Sequence, residues 1–192
     1  MSHVIEPASS GRARCRGCGG LIPRGELRFG ERIANPFAEG ETTLWFHLVC
    51  AAYKRPEPLL EAMGTPGQAL GEAPATAAEL ETLERAARGS LIHRRIPRID
   101  GAERAPSGQA ACRSCRQPIA RETWRIRLVY FEEGRFSPGG FVHLACHRAY
   151  FESDELLDRI LHFSPGLSDD ERGELTRAFE PGPDPPEPPR IR

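Results

Sequence analysis

One pattern, Cys-x2-Cys followed by His-x2-Cys, occurs twice in this chain and uses all six of its cysteines. The first copy is Cys15 and Cys18, then 28 residues, then His47 and Cys50; the second is Cys112 and Cys115, then 27 residues, then His143 and Cys146. Each copy supplies three sulfurs and one imidazole, a complete tetrahedral set for a structural Zn2+. Four protein ligands leave no position for a substrate or an activated water, so the metal is expected to hold the fold rather than do chemistry. A disulfide framework is the rival reading. Against it, the N-terminal stretch MSHVIEPASS has no apolar signal core, and no apolar run approaches transmembrane length. Nor do disulfides require a histidine three residues before the last cysteine of both copies. A reducing interior with two structural zinc ions is therefore expected.

The duplication runs beyond the ligands. With Cys15 set against Cys112, Ser10-Gly11 meets Ser107-Gly108, Ile22 meets Ile119, Arg24 meets Arg121 and Arg28 meets Arg125. HLVCAAY (47–53) meets HLACHRAY (143–150), and Thr76…Glu79 meets Ser168…Glu171, each a hydroxyl with an acid three residues on that marks a helix start. The chain reads as two homologous modules of about ninety residues. In each, a strand follows the first ligand pair (Leu27–Ala34; Trp124–Phe131), with Trp124, Ile126, Leu128 and Tyr130 alternating with Arg125 and Arg127. A glycine-containing loop and a short aromatic strand (Leu44–Phe46; Phe141-Val142) lead to the histidine, and the second ligand pair opens a helix. A later helix spans Thr76–Arg88 or Ser168–Phe179. The expected fold is two small α+β zinc-stabilised modules, each a short antiparallel sheet with helices. Their bounds are 8–95 and 107–180, with 96–106 as linker and the proline-rich 181–192 as a disordered tail.

Net charge is −1 and excludes nothing, but its distribution is uneven. Residues 11–55 carry eight basic and four acidic side chains, and residues 88–127 carry ten and three. Of 26 basic residues only Lys54 is a lysine. The Arg-, Ala-, Gly- and Pro-heavy composition fits a GC-rich, bacterial source, which implies a cytoplasmic, nucleoid-associated protein; a eukaryotic source would imply the nucleus. No membrane partner is expected.

SGRARCRGCGGLIPRGELRF and LWFHLVC in the first module resemble the PARP-type zinc finger, the module of poly(ADP-ribose) polymerases and one eukaryotic DNA ligase. The resemblance extends through both modules, about 160 of the 192 residues. It implies a module that recognises DNA strand breaks by structure rather than sequence, with arginines gripping phosphates and apolar loop residues stacking on the exposed base pair. Arg12 and Arg28 match the family's DNA-contacting arginines, and Arg125 matches Arg28 in the second module. The stacking loop corresponds to residues 36–42, with Ala38 and Thr42 at the apolar positions and Phe37 as a substitute. In the second module Gln109 stands where Arg12 does in the first. The second loop is two residues longer, with Phe136 and Pro138 as candidates. Side chains on one strand face form short basic rails, Arg28 with Arg32 and Arg125 with Arg127, able to track a phosphate backbone without reading bases. Stacking on an exposed base pair is worth roughly 1–3 kcal/mol. Two fingers in tandem are expected to sit on the two sides of one nick or gap.

Plainer roles compete at several positions. Trp45 and Phe46 are expected in the core. Arg28 and Arg125 have an alternative as caps on the anionic three-thiolate centre. His147 is expected as an exposed helix residue, and His3, His93 and His162 have no assigned role. No glycine-rich phosphate loop, catalytic triad spacing or paired-carboxylate motif is present, so a non-enzymatic protein is expected. Its expected partners are broken DNA together with a repair enzyme or a separately encoded transferase. The alternative is a zinc-stabilised protein-interaction adaptor without break specificity.

Overall fold

Two copies of one small sheet organise the chain, of which a computed structural model describes residues 3–35, 38–64 and 76–180. Val4–Pro7 (β1), Leu27–Ala34 (β2) and Glu41–His47 (β3) make an antiparallel sheet in that order. Ile99–Arg104 (β4), Trp124–Glu132 (β5) and Arg135–His143 (β6) repeat it. The first ligand pair lies in the β1–β2 connection (β4–β5 in the second module), and the second pair begins at the last residue of β3 (β6). Helices Leu48–Lys54 (α1), Pro56–Gly64 (α2) and Ala77–Leu91 (α3) complete the first module, and His147–Phe151 (α4), Leu157–His162 (α5) and Asp169–Phe179 (α6) the second. The expected α+β class is what the structure shows.

Strand alternation divides each sheet into a core face and an outer face. Ile5, Phe29 and Phe46 sit in register on the core face of the first sheet and are almost fully buried, each aromatic ring contributing about 1.5–3 kcal/mol. Ile126 and Val142 do the same in the second. The zinc-ligand cysteines 15, 50 and 112 belong to these cores, so metal and core share one packing unit. Thr76 and Ser168 each form the capping box expected of them, exchanging bonds with Glu79 and Glu171.

The segment 96–106 is not a linker. Its strand β4 pairs with β5, and Ile99 and Ala102 are buried. Likewise β1 precedes the expected start of the first module at residue 8. Both strands supply an acid opposite an arginine, Glu6 to Arg28 and Glu103 to Arg125.

The two modules pack on each other. Three successive residues at the end of α1 enter the second module. Tyr53 packs edge-on against His162 and Phe163. Lys54, its side chain 1 % exposed, pairs with Asp100 of β4, donates to the Gly17 carbonyl at 2.7 Å, and lies over the Phe136 and Phe163 rings. Arg55 forms a bidentate pair with the buried Glu31 and covers Phe131 at 3.9 Å. The β5–β6 hairpin tip lies against the first core, where Phe136 meets Phe46 edge-on at 6.4 Å. Gly134 at this tip has φ +78°, and a Cβ there would sit 2.7 Å from Ile33 Cδ1. Gly134→Val is expected to cost on the order of 2 kcal/mol, from left-handed strain and weakened docking, read as a lowered urea midpoint.

Candidate zinc centres and the surface around them

Local geometry turns each ligand set toward one point. In both centres the four ligand atoms lie within 4.8 Å of one another, the reach of a tetrahedral Cys3His site. Cys15 Sγ accepts backbone N–H bonds from Gly17 and His47, both at 3.3 Å. Cys112 Sγ accepts them from Ser114 at 3.4 Å and His143 at 3.3 Å. His47 turns Nδ1 toward Cys18 and Cys50, and its Nε2 is 3.1 Å from the Leu21 carbonyl. His143 repeats this with Cys115, Cys146 and the Pro118 carbonyl. The carbonyl fixes the tautomer, placing the proton on Nε2 and leaving Nδ1 for the metal. The donor set and geometry fit two structural zinc ions, which would be held by all eight residues read from the spacing.

Within each cluster the sulfurs differ in how readily they give up a proton. A hydrogen bond from Cys50 holds Cys15 down at about 4, and the same bond with burial pushes Cys50 up. Burial tends to raise Cys112, but N–H donors from His143, Cys115 and Ser114 outweigh it and bring it to about 7. Cys146 is pushed up to about 12 by burial and by Cys115. Zinc instead keeps every sulfur a thiolate, far below the ordinary value of about 8.5. A depressed pKa stabilises the fold above the unfolded-state value, and that stabilisation is lost as pH falls through the folded-state value. Acidification is therefore expected to release both zinc ions together with native structure, followed by a chromogenic chelator and circular dichroism.

The residues expected to contact DNA are placed unequally. Arg12 and Arg32 are exposed, as are Arg14 and Arg16 beside the first centre. Arg28 and Arg125 are not open rails: each is only 6 % exposed. Arg28 bonds Glu6 at 2.6 Å and lies 3.5 Å from the centroid of Trp45, while Arg125 pairs with Glu103 and lies 3.5 Å from Phe141. The duplicated unit is thus acid, arginine and aromatic ring on the outer sheet face. Its acids come from β1 and β4, outside the expected module cores. The zinc-cap alternative for these two arginines finds no hydrogen bond to a ligand sulfur among the described residues. Arg127 is half-buried, donating to the carbonyls of Asp100 and Phe163. Trp45 is half-buried and packs against the first core from the outer face, seated in the slot left by Gly30, where a Cβ would come 2.7 Å from its ring. Phe46 is in the core, as expected.

The loop residues are also redistributed. Ala38 is exposed and Thr42 half-buried at the start of β3, while Phe37 lies outside the described residues. Phe136, expected to stack on a base, instead packs between the modules, because the longer second loop is a hairpin that reaches Phe46. His147 is 8 % exposed rather than open, its ring 4.4 Å from Phe179 and its Nδ1 2.8 Å from the Leu144 carbonyl. His162, without an assigned role, is 3.1 Å from Cys50 Sγ through its Nε2. No local pattern foretold that approach, which spans 112 residues.

Among the curated proteins the chain is similar to are two insect enzymes. It is 24 % identical, over 94 % of its own length, to a poly(ADP-ribose) polymerase of Drosophila melanogaster, of which it covers 20 %. It is 29 % identical, over 69 % of its length, to a poly(ADP-ribose) polymerase of Sarcophaga peregrina, of which it covers 14 %. The chain thus spans a fifth or less of these relatives. No family model matches it. Likeness to these polymerases and two Cys3His clusters are consistent with PARP-type zinc fingers. Among the described residues no helix is long and apolar enough to cross a membrane.

Proposed function

We propose that this chain is a non-enzymatic, zinc-dependent DNA-binding protein that recognises strand breaks by their shape and serves repair or damage sensing. One observation carries the reading: similarity to the Drosophila polymerase runs over 94 % of the chain and so through both zinc modules rather than one. The site chemistry supports it. Arg12, Arg14, Arg16 and Arg32 are exposed around the first module and offer a grip on phosphates. Backbone-directed binding of this kind holds a duplex without reading its sequence. With Phe136 engaged between modules, stacking on an exposed base pair falls to the loop that includes Ala38 and Thr42. A repair enzyme or a separately encoded transferase is the expected protein partner.

Arg12→Ala, Arg16→Ala and Arg32→Ala combined test this. Under the DNA-binding reading the slope of log affinity against log salt becomes shallower by about 0.9 for each phosphate no longer neutralised, with thermal stability unchanged. If the wild-type chain shows no salt-dependent DNA binding, the adaptor reading replaces it.

A further inference from the structure

The two zinc centres have the same ligands and nearly the same inner geometry, yet a histidine of the second module approaches a ligand sulfur of the first. His162, at the end of α5 in the second module, places Nε2 3.1 Å from Sγ of Cys50, a ligand of the first centre. Its ring is held from both sides, by Tyr53 of the first module at 5.4 Å and by the neighbouring Phe163 at 4.8 Å. It is not a fifth ligand, since the four ligand atoms already form a closed set without it. A zinc-bound cysteine sulfur carries no proton, so the hydrogen between the two residues belongs to the imidazole. Cys146, the counterpart in the second centre, has side-chain hydrogen-bond neighbours only from its own ligand set among the described residues, and His147 beside it turns to Leu144.

We propose that His162 is an outer residue of the first zinc centre, supplied by the second module, which donates a hydrogen bond to the Cys50 thiolate and makes that centre's hold on zinc depend on module docking. Three thiolates on one divalent ion leave excess negative charge on sulfur. An N–H donor draws off part of it and orients the ligand, as outer partners of metal sites do. Cys50 is 1 % exposed with the modules docked, and separation removes the donor from this buried sulfur. The second centre has neither feature. The first centre is therefore the one whose metal retention reports on how the modules are arranged.

The test follows zinc release from the full chain to a chromogenic chelator. Iodoacetamide labelling of Cys50 and Cys146, resolved by mass spectrometry, assigns each phase to a centre. His162→Phe keeps a ring between Tyr53 and Phe163 but removes the donor; His162→Gln keeps an N–H. In the wild-type protein the second centre should release first. His162→Phe should accelerate release from the first centre by about tenfold or more and leave the second unchanged, while His162→Gln stays near wild type. In the cobalt-substituted protein, the thiolate-to-metal absorption of the first centre should shift in His162→Phe and not in His162→Gln. Unchanged release in His162→Phe would overturn the proposal. So would equal losses in both variants, or acceleration of both phases, since each points to packing rather than the donor.

Discussion

Stripping both zinc ions with a chelator is expected to unfold both modules. Structural zinc in small modules contributes about 10–16 kcal/mol of apparent binding free energy, as much as the whole stability of a typical domain. Here Cys15, Cys50 and Cys112 are themselves core residues, so losing the metal opens the core where Ile22, Phe46 and Ile119 meet it. Thiolates released together would also repel one another within 4.8 Å. Far-ultraviolet circular dichroism should collapse on metal removal and return on adding zinc. A spectrum that stays native after complete removal would contradict the assignment of both centres as structural.

Asp100→Ala is expected to cost about 3 kcal/mol in urea unfolding, the largest effect foreseen for a single side chain remote from the metal. It would leave Lys54, 1 % exposed between two phenylalanine rings, with only the Gly17 carbonyl as a hydrogen-bond partner among the described residues. A buried ammonium without its carboxylate costs more than the pair it replaces. Lys54→Met combined with Asp100→Ala should therefore recover much of the loss, because an apolar side chain of similar length suits the ring pocket. Amide exchange should also rise at the β5–β6 hairpin as the modules loosen. A change under about 0.5 kcal/mol for Asp100→Ala would mean that the ion pair does not hold the interface.

What the sequence made legible was local. The eight ligands follow from spacing alone, and β2 falls on the residues expected for it. Thr76 and Ser168 announce their helices through side chains that bond three residues away. What escaped depends on partners far along the chain. Val4–Pro7 is four residues long, too short to show alternation, and the DGAER of β4 reads as a turn until Glu103 is seen opposite Arg125. The arginines Arg28 and Arg125 looked like open phosphate rails because their acids lay outside the assigned modules. Phe136 looked like a loop aromatic because nothing in its neighbourhood names Phe46 as its neighbour in space. The lone lysine gave no sign of its role either, since its salt bridge closes over 46 residues.

These corrections narrow the functional account without removing its basis. An exposed arginine set remains on the first module, while the second module's hairpin is committed to holding the pair together. The most direct test is a competition experiment with the zinc-loaded chain at one stated salt concentration. Fluorescence anisotropy would follow a hairpin-capped duplex with a single nick, displaced either by itself or by the same duplex sealed. Break recognition predicts that the sealed duplex competes at least about tenfold worse, the discrimination that stacking on one exposed base pair supplies. Equal competition by the two would contradict it, reducing the arginines to a general grip on phosphate.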